Sequence, residues 1–163
     1  MELSTVDILI RLVVAVLLGG FVGVERTLAG KTAGMRTYAL VSMGSALFII
    51  ITFLVSFQFM NLASFNPFAI APQILLGVGF IGAGLVFHHN REGTTSGLTS
   101  AAGLWVASGV GMACGFSLYS VAIITALLTL LVFTVLWYVE KVFKKISYSD
   151  EKEEIETSQK LHE

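Results

Sequence analysis

Between residues 12 and 139 the chain carries only six charged side chains: Glu25, Arg26, Lys31, Arg36, Arg91 and Glu92. Asp7 and Arg11 precede them. Arginine presents a planar fork of donors that suits carboxylate or phosphate, so ion pairing and anion recognition are the chemistry this set offers. A divalent metal prefers several oxygen ligands, often carboxylates, and only Glu25 and Glu92 stand in this stretch. Proton-coupled transport usually relies on a carboxylate inside the membrane, and the four apolar runs that follow Arg36 contain none. His88 and His89 are adjacent, so they point to different sides of a helix and do not form an i, i+4 metal clip. We read them as polar loop residues. Cys114 is the single cysteine, which excludes an internal disulfide and a cysteine-based zinc site. No nucleophile, base and orienting group come together in the pattern. The expectation is a protein that is not an enzyme and holds no cofactor or metal.

Arg11 has two readings. It snorkels to the headgroups or pairs with Asp7 one helical turn away, or it stands in a polar cavity of the protein. Arg11 and Glu25 share a helix face but lie about 21 Å apart at 1.5 Å per residue, too far to pair. Glu25-Arg26 closes one apolar run and Arg36-Thr37 opens the next. Interface anchoring, with Glu25 paired to Arg26 or Arg36, explains them without further function. Gly77-Val78-Gly79-Phe80-Ile81-Gly82 matches G-x-G-x-x-G, but no strand precedes it, so a dinucleotide site is rejected.

These residues must be held by apolar elements. Hydrophobic residues make up 55% of the chain and charged residues 13%, against about 25% charged in a soluble domain. The net charge of −1 offers no basic field for nucleic acid. Five runs are long enough to span a bilayer: Val6 to Val24, Thr37 to Phe57, Ala69 to Phe87, Leu98 to Cys114 and Phe116 to Val139. The fourth is short and rich in small residues, and reads as a steep span or a re-entrant segment. The fold class is therefore an all-α membrane bundle of about five helices in residues 1–143. Residues 144–163 form a short charged tail. Loop one (Arg26, Lys31, Arg36), loop three (Arg91) and the C-terminal end (Lys141, Lys144, Lys145) carry the positive charge, which places them in the cytoplasm and the N-terminus outside.

In lipid, helices associate by close packing, and small residues at four-residue spacing allow it. Ala15, Gly19 and Gly23 form one such stripe. Gly103, Ala107 and Gly111 form another. Gly77 and Gly84 share a face of the third helix, with Gly79 and Gly82 on the other, which predicts a third helix sandwiched in the middle. Ser42, Ser45, Thr52 and Ser56 line one face of the second helix, where hydroxyls commonly bond their own backbone.

Several motifs carry a family resemblance. They are Arg11; Gly19-Gly20-Phe21-Val22-Gly23-Val24-Glu25-Arg26; and Ala33-Gly34-Met35-Arg36-Thr37 followed by Leu40-Val41 and Gly44. Further along come Gly79-Phe80-Ile81-Gly82-Ala83-Gly84, Gly97-Leu98-Thr99-Ser100-Ala101-Ala102 with Leu104-Trp105, and Gly111 with Cys114-Gly115. In this order they resemble the MgtC/SapB membrane domain over about residues 8 to 135. Ser100 stands where the family pattern suggests threonine. The resemblance implies a bacterial inner-membrane protein of about five helices, linked to growth at low magnesium and to virulence, that modulates other membrane machinery such as ATP synthase or a transporter. It implies functional weight for Arg11, Glu25, Arg26, Arg36, Thr37, Gly82, Gly84, Thr99 and Trp105. Longer members add a soluble C-terminal domain, and the chain reads as a short form without it.

Three functions follow, in order of preference. The first is a modulator that docks on another membrane protein. The second is a transporter or channel, for which the arginines favour an anionic solute over magnesium. The third is a scaffold that associates with its own copies in the bilayer.

Overall fold

The computed structural model describes residues 3–59, 69–89 and 97–143. Loop-three residues Arg91 and Glu92, the side chains of His88 and His89, and the charged tail 144–163 lie outside the described residues. The described residues form helices and no strand: α1 (Thr5–Leu28), α2 (Met35–Phe59), α3 (Ile70–His89), α4 (Leu98–Gly115) and α5 (Tyr119–Leu131), the last followed by a π-helical turn at Val132–Leu136. Five helices are long and apolar enough to cross a membrane, the fifth being counted over Tyr119–Phe143. Two compact units are distinguishable, Met1–Thr129 and Leu130–Glu163. The first holds the small-residue stripes and the charged motifs. In the second, Lys141 lies over the ring of Trp137 at 5.3 Å from its centroid, a contact between neighbouring turns of one helix.

Helix α1 starts at a reciprocal cap. The Ser4 hydroxyl accepts from the Val6 N–H at 3.3 Å, and the Asp7 carboxylate accepts from the Ser4 N–H at 3.2 Å. Two orphan donors are satisfied in this way. The cap turns Asp7 toward the start of the helix, and Asp7 does not pair with Arg11. At its other end α1 runs one turn further than its apolar run, to Leu28, so Glu25 and Arg26 lie inside the helix. The chain then reverses through Gly30, whose φ of +64° suits a residue without a Cβ. Thr27 fastens this turn: its hydroxyl donates to the Gly23 carbonyl at 3.1 Å and accepts from the Met35 N–H at 2.8 Å.

Helices α1, α2 and α4 contact one another, while α3 lies against α4 and, to a lesser extent, α2. The three-way contact is built on glycine. A Cβ at Gly19 would stand 2.7 Å from the Tyr38 carbonyl oxygen, and one at Gly23 2.7 Å from Met35 Cα. One at Gly115 would stand 2.7 Å from Ile49 Cβ, and one at Gly111 would fall on the Ser42 carbonyl. Thus α2 is gripped by α1 on one side and α4 on the other. Ala15, Ala46, Val110, Ala113, Cys114 and Ala122 fill the core beside this grip. Ala107 and Gly103 are buried on the same helix.

Two expectations are corrected or resolved. Half of α4 is buried, against 11% of α3, so α4 and not α3 is the central helix. The reason is visible at the glycines. Only Gly82 of α3 meets a neighbour, Ala101, while Gly77, Gly79 and Gly84 have nothing within 4 Å of where a Cβ would stand. The sandwiched third helix, packed through Gly77 and Gly79, is therefore not found. Helix α4 itself is one uninterrupted helix of 18 residues. It runs parallel to α2, from Ser100 beside Tyr38 to Gly115 beside Ile49, which leaves no fold-back.

The turn after α4 ends at Ser117 and not at Gly115. Ser117 has φ +62°. Its N–H donates to the Cys114 carbonyl at 2.9 Å, and the Leu118 N–H donates to the Ala113 carbonyl at 2.8 Å. This is a Schellman ending with serine in the place glycine usually takes. Gly115 is needed for the approach to Ile49, one residue pair earlier.

The grip makes a direct prediction. Gly111→Ala drives a methyl group into the Ser42 backbone, and overpacking of this kind costs about 1–3 kcal/mol. Gly109→Ala, with nothing within 4 Å, gains helix propensity and should match or exceed the wild-type stability. Thermal unfolding of the two variants in detergent checks the pair.

Candidate functional site

The polar side chains of the first unit are arranged along α1 and α2 at three levels. At the C-terminal end of α1, Arg26 is buried with 4% exposure and its Nε donates to the Glu25 carboxylate. Successive helix positions do not face one another, so both side chains must bend to the same side. Tyr38 is wholly buried and its hydroxyl donates to the Ser100 carbonyl at 3.0 Å, in the first turn of α4. Tyr38 thus ties the first turn of α2 to that of α4 and also packs on Gly23, near the C-terminal end of α1. A buried arginine and carboxylate lose hydration, and their pairing offsets it; removing one partner leaves the other uncompensated.

The middle level is a seam of hydroxyls. Ser45 donates to the Val41 carbonyl at 2.9 Å and lies 2.8 Å from the Ser108 hydroxyl. With its one proton committed to Val41, Ser45 accepts from Ser108. Thr52 and Ser56 bond the carbonyls four residues back, at 2.8 and 2.6 Å, as expected for hydroxyls on a spanning helix. Ser42 differs. It is wholly buried between Gly19 and Gly111, and its hydroxyl has no hydrogen-bond partner among the described residues.

The third level is at the other end of α1. Arg11 Nη1 donates to the Gly115 carbonyl at 2.7 Å. The last four carbonyls of α4 are thereby all accounted for. Those of Met112, Ala113 and Cys114 receive the N–H groups of Phe116, Leu118 and Ser117, and that of Gly115 receives Arg11. A cation here also complements the negative end of the helix dipole. Arg11 is half-buried, pinned to a neighbouring helix end and not paired with Asp7.

The motif residues separate into two groups. Glu25 and Arg26 come together with each other. Gly82 closes on Ala101. Arg36 faces outward and Thr37 is half-buried beside it; among the described residues the ion pair of Glu25 is with Arg26 and not with Arg36. Thr99 and Trp105 are exposed on α4, and Gly84 faces open space. Sequence reasoning missed Tyr38, Thr27 and Ser108. Thr27 had a readable signal, four residues after Gly23 and next to the basic pair. Tyr38 had only its place one residue past Thr37. Among the described residues, no three His, Cys, Asp or Glu side chains come close enough to hold a metal ion.

Comparison with known proteins adds the following. The MgtC family model matches residues 12–142. A protein of Escherichia coli K12 named "Putative magnesium transporter YhiD" is 41% identical over 136 residues, covering 80% of this chain and 61% of the relative. Protein MgtC of Brucella abortus is 42% identical over 107 residues, or 65% of this chain and 41% of the relative. Protein SapB of Bacillus subtilis is 34% identical over 139 residues, or 83% and 60%. The chain thus spans less than two thirds of each of these relatives. No solved structure matches.

The hydroxyl seam can be tested by truncation. Ser42→Ala removes a buried donor that lacks a partner, a defect worth about 1–3 kcal/mol, so it should leave stability unchanged or raise it. Ser108→Ala removes an interhelical hydrogen bond and should cost about 0.6 kcal/mol. Unfolding of both proteins in mixed micelles distinguishes the two serines.

Proposed function

The chain belongs to the MgtC family, and from that premise we propose that this multi-pass membrane protein is a non-enzymatic modulator of another integral membrane protein, active in adaptation to low magnesium or in virulence. The single observation that carries the reading is the outward face of α3. Gly77 and Gly84 lie seven residues apart on that face with nothing within 4 Å, and Leu76, Phe80 and Phe87 beside them are 73–83% exposed. Lipid chains gain little from a glycine surface, whereas a second transmembrane helix gains close backbone approach. Large apolar side chains flanking small ones supply the shape such a helix would meet. ATP synthase and transporters are the partner classes that the family resemblance implies. The proposed setting is the bacterial inner membrane, with the N-terminus outside and the C-terminus in the cytoplasm, as the placement of Arg26, Lys31 and Arg36 favours.

Transport of an ion or small solute is the second reading. It is favoured by the name given to the Escherichia coli relative. Against magnesium as the cargo stands the ligand chemistry: a magnesium path prefers carboxylate and carbonyl oxygens, and residues 37–139 contain Glu92 as their sole carboxylate. A self-associating scaffold is the third reading, in which the α3 face meets its own copy.

A photocrosslinker placed at Phe80 in cells starved of magnesium should capture a different membrane protein. Gly77→Leu should abolish that capture while changing the stability of the purified protein by less than about 0.5 kcal/mol, as expected for an exposed position. Capture of the chain itself alone would replace the modulator by the scaffold. Magnesium, potassium or phosphate flux in proteoliposomes, lost in folded Arg36→Ala, would replace it by the transporter.

A further inference from the structure

Arg11 is the one charged side chain within the N-terminal half of α1 beyond its cap, and its bonding is incomplete. A guanidinium has five N–H donors. Nη1 gives one to the Gly115 carbonyl at 2.7 Å. Asp7, the carboxylate one turn away, is turned to the Ser4 N–H, and no ion pair to Arg11 forms among the described residues. The other four donors of this half-buried side chain have no partner among the described residues. At membrane depth unbonded donors are costly, so these call for an acceptor beyond the described residues.

The depth of the group identifies the acceptor. Helix α1 has 24 residues, about 36 Å at 1.5 Å per residue, against a hydrocarbon core of about 30 Å. Centred in the bilayer, it extends about 3 Å past the core at each end. Arg11 is six residues in from Thr5, about 9 Å along the axis, so its Cα lies about 6 Å inside the core boundary. A helical side chain leans toward the N-terminus, and the long arginine stem covers that depth. The guanidinium therefore reaches the boundary where lipid phosphates lie. The bond to Gly115 fixes the orientation of the fork in advance, which favours two-point recognition of an oxyanion. Phe116 and Leu118, in the turn that follows Gly115, are 38% and 52% exposed and offer apolar surface to an acyl chain.

We propose that the outward edge of Arg11, held by the Gly115 carbonyl, is a phosphate-binding site at the leaflet facing the N-terminal end of α1, filled by a phospholipid headgroup or by free phosphate. The site also fastens α1 to the end of α4, so its occupant stabilises that contact.

Native mass spectrometry of the full chain in detergent tests this with phosphatidylglycerol as probe, diacylglycerol with the same acyl chains as control, and inorganic phosphate as competitor. The wild type should retain one phosphatidylglycerol about tenfold better than Arg11→Gln, a difference of about 1.4 kcal/mol. Lys31→Gln, which removes an exposed charge at the other end of α1, should leave this retention unchanged. Because Arg11→Gln also loses the Gly115 bond, Arg11→Lys serves as the second variant. It keeps the charge and one donor to Gly115 but lacks the fork, and it should retain the lipid several-fold less well while melting as the wild type does. Displacement of the lipid by inorganic phosphate would identify the free ion as the ligand. Retention unaffected by phosphate would identify the lipid. Equal retention by the wild type and a folded Arg11→Lys, or equal retention of diacylglycerol and phosphatidylglycerol, would overturn the proposal.

Discussion

The backbone of α2 between Tyr38 and Ile49 is approached from both sides closer than any side chain permits, and the rest of the first unit depends on that approach. Gly19 and Gly23 of α1 close on Tyr38, Ser42 and Met35, while Gly111 and Gly115 of α4 close on Ser42, Ala46 and Ile49. Lipid is as apolar as the helices, so no hydrophobic force drives them together. Contact area and dispersion must do so, and both grow steeply as backbones near each other. At Gly111 and Gly19 the missing side chains also point hydrogens on Cα at the Ser42 and Tyr38 carbonyls, a weak hydrogen bond common at helix interfaces.

The grip sets the register of every polar contact. With α2 and α4 parallel and in close contact, Ser45 meets Ser108 and the Tyr38 hydroxyl meets the Ser100 carbonyl. The Gly115 contact with Ile49 brings the end of α4 to the level of Arg11. Each polar contact alone is worth about 0.6 kcal/mol in a membrane, too little to choose a register. They follow from the packing and refine it. Ser42 shows the limit of that refinement, since packing buries its hydroxyl without supplying a partner.

The division between a sequestered trio and a less sequestered α3 bears on function. Helices α1 and α4 place Gly19, Gly23, Gly111 and Gly115 against α2, while α3 brings only Gly82 against a neighbour. Its remaining glycines and its exposed Phe80 are surface that the first unit does not use. A regulator of membrane machinery needs such a surface more than it needs a solute path. The relatives are longer than this chain, so the proposal concerns the membrane part they share with it.

The sequence alone determined the class and the elements. An apolar run of about 20 residues is long enough to span a bilayer as a helix, and the five runs correspond to five helices long and apolar enough to do so. The motif series likewise pointed to the family that residues 12–142 match. The stripes at Ala15-Gly19-Gly23 and Gly103-Ala107-Gly111 were legible because close packing needs small residues at four-residue spacing. The same rule misled at α3, since spacing reveals that a face can be approached and not what approaches it. Glu25 and Arg26 could be singled out as charges in an apolar chain, but their choice of each other over Arg36 was decided by an extra turn of α1. Only the tertiary structure brought Tyr38 to Ser100 and Arg11 to Gly115, contacts between residues 62 and 104 positions apart. No local pattern encodes them, because their acceptors are backbone carbonyls, and every residue carries one.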